Sequence, residues 1–248
     1  MKKLIYIGCL LFVVNILGGQ TVKSFKVPTE IEQIGHDYVA DHMEVWGLGS
    51  ADIAELHVSN YHLTASTGAH HLYFTQYYRG IPITDALVNL TITDNGKVYE
   101  SGHRLVNGLE DKAKTTKSKI SAEDALSQAI QYLGLTNSTL PRLLENPSPN
   151  LWVYEGGQIS EEQIKIQLNY IMDGVQNLQL SWQLAIRRLD NSDFPSLHID
   201  ALDGKILNNH NYTHQCTFKG PNPYGRLLEN KSCTHDHSGV LNLSLIHI

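Results

Sequence analysis

Apolar residues at Ile31, Ile34 and Tyr38 recur at helical spacing and predict an amphipathic helix that ends before Gly47 and Gly49. Val45 extends the stripe, while Thr29 stands as N-cap and Glu32, three residues on, completes a capping box. The pattern then changes period. Asp52 to Ser66 reads as a turn and a strand, and His71 to Val106 as a β-meander. Within it Val88, Leu90 and Ile92 alternate with Asn89, Thr91 and Thr93, as in a strand with one buried face. Asp94-Asn95-Gly96 is a tight-turn signal, and Lys97-Val98-Tyr99 returns the chain as the partner strand. Pro82 has no amide hydrogen, which confines it to a sheet edge or a bulge.

Asn107 to Lys119 is polar and Lys-rich with no large apolar residue after Leu109, so a linker is expected, with a boundary near Lys117. Ser121-Ala-Glu-Asp then caps a second helix, whose face is Ala122, Ala125, Leu126, Ala129, Ile130 and Leu133, with Gly134 as the stop. Leu135 to Asn150 reads as a Pro-rich loop. Strands follow at Leu151–Tyr154, Ile164–Met172, Leu180–Leu189 and Leu197–Asp200, and Asp203-Gly204 turns the last into Lys205-Ile206-Leu207. Both halves thus place one helix before several strands. The predicted fold is α+β: two small domains, each a helix packed on an antiparallel β-meander, after a signal peptide.

That leader lies in residues 1–20. Lys2 and Lys3 precede the apolar run Leu4 to Leu17, and Gly18-Gly19 supplies small residues for cleavage, so export follows, with no membrane span after its removal. Gly8-Cys9 does not make a lipoprotein signal, because most of the apolar run follows that cysteine. With the leader gone, 17 basic residues face 25 acidic ones, a net charge of −8. No basic patch appears, which excludes nucleic acid as the expected partner. At 42% hydrophobic and 18% charged residues the chain is neither disordered nor a coiled coil.

Cys216 and Cys233 remain after cleavage, and in an oxidising compartment such a pair most simply forms a disulfide. Loop closure of that size contributes about 3 kcal/mol. The rival reading is a zinc site in which His214, His235 and His237 join the two cysteines. His70-His71 are neighbours on a strand and face opposite sides, so they do not share one ion. Tyr73 and Tyr77 share a face that Tyr78 does not, and core packing is preferred for them over an interface stripe. Glu161, Glu162, Asp190 and Asp193 read as solubilising loop acids rather than paired catalytic acids. Sequons begin at Asn89, Asn137, Asn211 and Asn230; Asn89 lies in a strand, and the other three read as loop acceptors.

Several segments together give a resemblance. They are Thr67-Gly68-Ala69-His70-His71-Leu72-Tyr73-Phe74-Thr75-Gln76, Gly80-Ile81-Pro82-Ile83 and Asp94-Asn95-Gly96-Lys97-Val98. Through these the first half resembles the propeptide domain shared by fungalysin and thermolysin precursors. Trp182-Gln183-Leu184-Ala185-Ile186 and Asp200-Ala201-Leu202-Asp203-Gly204-Lys205-Ile206-Leu207 make the second half similar to the PepSY-like domain that follows it in fungalysin-family precursors. The division expected is 1–20 signal peptide, 21–116 propeptide-like domain, 117–212 PepSY-like domain, 213–242 loop-rich junction toward a missing catalytic domain, and 243–248 an artificial terminus.

The resemblance implies zinc and a metalloendopeptidase activity in the full precursor. In this chain no His is followed by Glu, so the His-Glu-x-x-His zinc helix is lacking. No catalytic, cofactor-binding or metal-binding residue is therefore predicted, and Cys216–Cys233 is the one site. The expected function is an exported propeptide that serves its protease domain in cis as intramolecular chaperone and inhibitor. It would cover apolar cleft surface and offer a strand edge to the enzyme. A minor variant has His235 or His237 capping the catalytic zinc. The alternative is a stand-alone exported binding or inhibitor protein of two such domains.

Overall fold

The structure is a computed structural model that describes residues 26–135, 139–190, 192–213, 216–217 and 232–233. Helix α1 (Thr29–His42) leads into strands β1 (Leu56–Thr64), β2 (Ala69–Tyr78), β3 (Ile81–Ile92) and β4 (Val98–His103). A helical turn α2 (Leu109–Lys112) and helix α3 (Ala122–Tyr132) follow, then β5 (Leu143–Ser148), β6 (Leu151–Tyr154), β7 (Ile164–Met172), β8 (Leu178–Ala185), β9 (Pro195–Asp200) and β10 (Ile206–Asn211). Beyond them β11 (Cys216–Thr217) pairs with β12 (Ser232–Cys233). The segments expected to be a signal peptide and an artificial terminus, the sequons at Asn137 and Asn230, and His214, His235 and His237 fall outside the described residues.

Helix α1 buries Ile31, Gly35 and Val39, four residues apart on one face. Gly35 is dictated by packing: a Cβ there would lie 2.6 Å from Leu72 Cδ2 and 2.8 Å from Phe74 Cε2. The expected Thr29 capping box is absent. Pro28 occupies the N-cap with no side-chain hydrogen bond, and its carbonyl accepts from the Ile31 and Glu32 amides. Val45 does not extend the stripe either, because the helix ends at His42 and leaves Val45 83% exposed. Helix α3 follows its sequence signals closely. Ser121 and Asp124 form a reciprocal capping box, all of Ala122, Ala125, Leu126, Ala129 and Ile130 are buried, and Gly134 takes φ +68° at the stop.

Strands β1 to β4 make a first antiparallel unit and β5 to β10 a second. The first encloses a core of Leu72, Phe74, Val88, Leu90 and Ile92 under Ile31 and Val39 of α1. In the second, Ile164, Ile166, Tyr170, Leu180, Leu184, Leu197 and Ile199 pack beneath α3. The two units join as one ten-stranded sheet through a single parallel pair, Ile83 opposite Tyr170, a link that the meander pattern did not anticipate. Long strand β3 serves both cores. Ile81, Ile83 and Ala86 enter the second, and Val88, Leu90 and Ile92 the first. An irregularity at Asp85 (φ +62°) resets the parity between Ile83 and Ala86, so that both face inward. Pro82 takes the bulge option, pairing with Tyr77 beside a register shift.

Two segments differ from expectation. The predicted linker is packed: Leu109 is 1% exposed, Ala113 is buried and bridges to Leu178, and the Tyr170 hydroxyl donates to Thr115 O at 2.8 Å. One leucine in a polar run is enough to anchor it. The Pro-rich loop contains strand β5, fully exposed and paired to β6, a strand with no buried face for periodicity to reveal.

Candidate functional site

The helices add their buried residues to the cores on one side of the sheet, and strand alternation puts a second set of side chains on the other. In the first unit that outer set is rich in rings. His62 stacks on His71 with centroids 4.3 Å apart, Tyr73 lies 6.1 Å from His62, and His57 meets Tyr77 edge-on at 4.5 Å. His71 Nε2 lies 3.0 Å from Thr64 Oγ1, whereas His70 bonds through Nδ1 to the Tyr61 hydroxyl at 2.8 Å on the core side. The two neighbouring imidazoles thus look in opposite directions. Of the three tyrosines only Tyr78 packs against a core, the second one; Tyr73 and Tyr77 belong to the outer face, which corrects the core reading for them.

In the second unit the outer face carries a hydrogen-bonded seam across four strands. Asn169 on β7 donates to Thr84 Oγ1 of β3 at 2.7 Å and to Gln183 Oε1 of β8 at 2.8 Å. Ser181 donates its one hydroxyl proton to Asn169 Oδ1 at 2.6 Å. Its oxygen can then only accept at His198 Nδ1, 3.2 Å away, which assigns His198 the Nδ1–H tautomer and leaves Nε2 as the basic nitrogen. Burial lowers the His198 pKa to about 4, and the nearby Asp85 carboxylate offsets this only in part. Asn169, Ser181 and His198 alternate with apolar residues along their strands, so in sequence they read as an ordinary solvent face.

A third polar element sits in the first unit. Gln76, fully buried, donates through Nε2 to Asp52 O and Val106 O and accepts the Val106 amide at Oε1, all at 2.8 Å. Asp52 itself accepts from the Gly49 and Leu109 amides. These contacts tie both loops that flank the meander to its central strand.

The loop acids behave as surface groups. Glu162 pairs with Arg187 at 2.9 Å, and Asp193 accepts from Asn211 at 2.7 Å. Hydrogen bonds from Ser192 hold the Asp190 carboxyl below the ordinary carboxylate range. Among the described residues no group of three or more His, Cys, Asp and Glu could hold a metal ion. Two surface hollows of about 180 and 190 Å³ are smaller than the roughly 300 Å³ at which ligand pockets begin. Cys216 stands directly opposite Cys233 in the β11–β12 register. These polar residues tie strands and flanking loops together, and Ser181 accepts from His198 rather than giving its proton to it.

A family model, the Fungalysin/Thermolysin Propeptide Motif, matches residues 54–104, the span of β1 to β4. Extracellular metalloproteinase 10 of Coccidioides posadasii is 26% identical over 169 residues, 67% of this chain and 26% of the relative. Extracellular metalloproteinase 4 of Arthroderma gypseum is 28% identical over 198 residues, 77% of this chain and 30% of the relative. Extracellular metalloproteinase MEP of Fusarium vanettenii is 24% identical over 130 residues, 52% of this chain and 20% of the relative. The chain thus spans between a fifth and a third of the length of these relatives. Among solved structures the Bacillus megaterium YpeB C-terminal domain covers 75% of this chain and 65% of its own at 14% identity and a TM-score of 0.34, too distant to bear on function. Residues 54–104 carry the propeptide motif of fungalysins and thermolysins, and the chain around them is similar to a limited part of fungal extracellular metalloproteinases.

Proposed function

We propose that this chain is the signal peptide and propeptide of a secreted zinc metalloendopeptidase precursor, and that it acts in cis as folding aid and inhibitor of the protease domain. The carrying observation is the propeptide motif over β1 to β4 in a chain whose matched relatives are metalloproteinases several times the length of the match. Residues 1–20 direct export, residues 21–116 form the propeptide-like domain, and residues 117–212 form the PepSY-like one. Extracellular location accords with the relatives' names, and among the described residues no helix is long and apolar enough to cross a membrane. Zinc belongs to the protease domain.

Physically, a partner that binds the native protease domain and not its unfolded chain favours folding by mass action, and the same contact closes the cleft. Strand β10 ends the sheet just before the 213–242 junction and exposes four of its six residues, so tethering supplies the enzyme to that edge at high effective concentration. The reading is tested by supplying the chain, without its leader, as a separate polypeptide to the metalloendopeptidase domain encoded after residue 242. Faster recovery of active protease on refolding and slower peptide hydrolysis are expected. Absence of both effects rejects the proposal.

We also assign a disulfide to Cys216 and Cys233. Direct cross-strand opposition brings Cα atoms to about 4.5–5.5 Å, within disulfide range. The secreted chain is expected to show no reactive thiol until reduced; two thiols titrating without reductant would contradict the assignment.

A further inference from the structure

We infer that β1 is a dimerisation edge, along which two copies of this chain pair their Leu56–Thr64 strands antiparallel about a two-fold axis. Among the described residues strand β1 stands at the end of the sheet and pairs only with β2. Its nine residues, LHVSNYHLT, contain no proline and no Asp, Glu, Lys or Arg, the residues by which exposed edges are kept from pairing. The one protective device present is the bulge at Ser59, and its position is what makes the strand self-complementary.

The ladder shows which main-chain groups face outward. The Tyr77 amide donates to Glu55 O at 2.8 Å, so this pair is hydrogen-bonded and the next one, Leu56 with Gln76, is not. Alternation then turns Leu56 and Val58 toward the open edge. Past the bulge the Tyr61 amide is bonded to Asn60 Oδ1 at 2.8 Å rather than to β2, which places Tyr61, and Leu63 with it, on the open edge too. These four residues also have their side chains on the core face, because they oppose Gln76, Phe74, Leu72 and His70.

Read in the reverse direction the strand repeats itself. An antiparallel second copy sets Leu56 opposite Leu63, Val58 opposite Tyr61 and His57 opposite His62, with the two Ser59–Asn60 bulges facing each other on the axis. Every residue with outward main-chain groups opposes another such residue, so each outward N–H meets an outward C=O, and every core-facing side chain meets a core-facing one. Without the extra residue at the bulge, Leu56 and Leu63 would lie on opposite faces and this register would fail. Leu63, 51% exposed beside its own core, would be covered by Leu56 of the second copy, while Asn60 releases the Tyr61 amide. The pairing uses each β1 once and so closes as a dimer.

Sedimentation equilibrium of the chain lacking its leader tests this. A reversible dimer with a micromolar dissociation constant is expected. Leu63→Lys, at a half-exposed position, should raise that constant at least about tenfold while leaving the thermal melt in place. A His57→Cys/His62→Cys variant should give a covalent dimer whose peptide map links position 57 of one copy to position 62 of the other. A chain that is monomeric at every concentration, a dimer indifferent to both substitutions, or a β1 edge that engages only the metalloendopeptidase domain would each overturn the inference.

Discussion

Replacing Gln76 by alanine is expected to lower the unfolding free energy by about 3–5 kcal/mol, read as a lower urea midpoint at unchanged slope. The carboxamide stands fully buried where the β2–β3 ladder is interrupted, and it serves three main-chain groups at once: the Asp52 carbonyl and both polar groups of Val106. Each group stranded without water costs about 1–3 kcal/mol, less than additively because the loops relax. Gln76→Leu separates this from packing, since it fills the volume and leaves the same groups unpaired; most of the loss should persist. Gln76→Glu should be no milder, because a carboxylate has no hydrogen to give the two carbonyls. If Gln76→Leu proves neutral, the polar contacts are not what hold the flanking loops.

The second large effect is acid lability centred on His198. Its imidazole is held neutral in the fold, with the pKa lowered to about 4 from 6.5. In that window the unfolded chain binds more protons than the native one, so stability falls as pH falls, beginning near 6.5 and complete below about 4. A displacement of that size corresponds to about 3 kcal/mol at full protonation. Urea midpoints measured between pH 7.5 and pH 4, roughly the span of the shift, should show the decline, and His198→Gln should flatten it. Asp124, Asp173, Asp190 and Asp203 are also held below their ordinary value of 3.8, by hydrogen bonds from Ser121, Asn177, Ser192 and Lys205 in turn. Their contribution is lost only beneath the His198 window, so the two arms are separable. A profile identical in wild type and His198→Gln would remove His198 from the account.

These two residues illustrate how unevenly the sequence reports on the molecule. Helix α3 was legible because its cap, apolar stripe and stop are all local: Ser121, five buried positions and Gly134 lie within fourteen residues. The meander was legible for the same reason, since the period-two run Val88–Leu90–Ile92 and the Asn95-Gly96 turn state their own conformation. Gln76 and His198 carried no such sign. A glutamine between Thr75 and Tyr77, or a histidine in a short strand, reads as an outward polar position until its partners, 24 to 30 residues away for Gln76, are in place. Helix α1 failed locally in the other direction: Thr29 and Glu32 satisfy a capping pattern that Pro28 preempted.

The order of elements, the antiparallel hairpins, the α+β class and the lack of a His-Glu-x-x-His signature were determined by residues close together in the chain. Tertiary structure alone decided that the two units share one sheet through Ile83 and Tyr170, that the polar segment after Leu109 is packed, and that among the described residues β1 is left with an open edge. The division follows from the range of the forces. Alternation, capping and turn preference act within a few residues, whereas the pairing of β3 with β7 spans 87 residues and is chosen by the burial of both cores together.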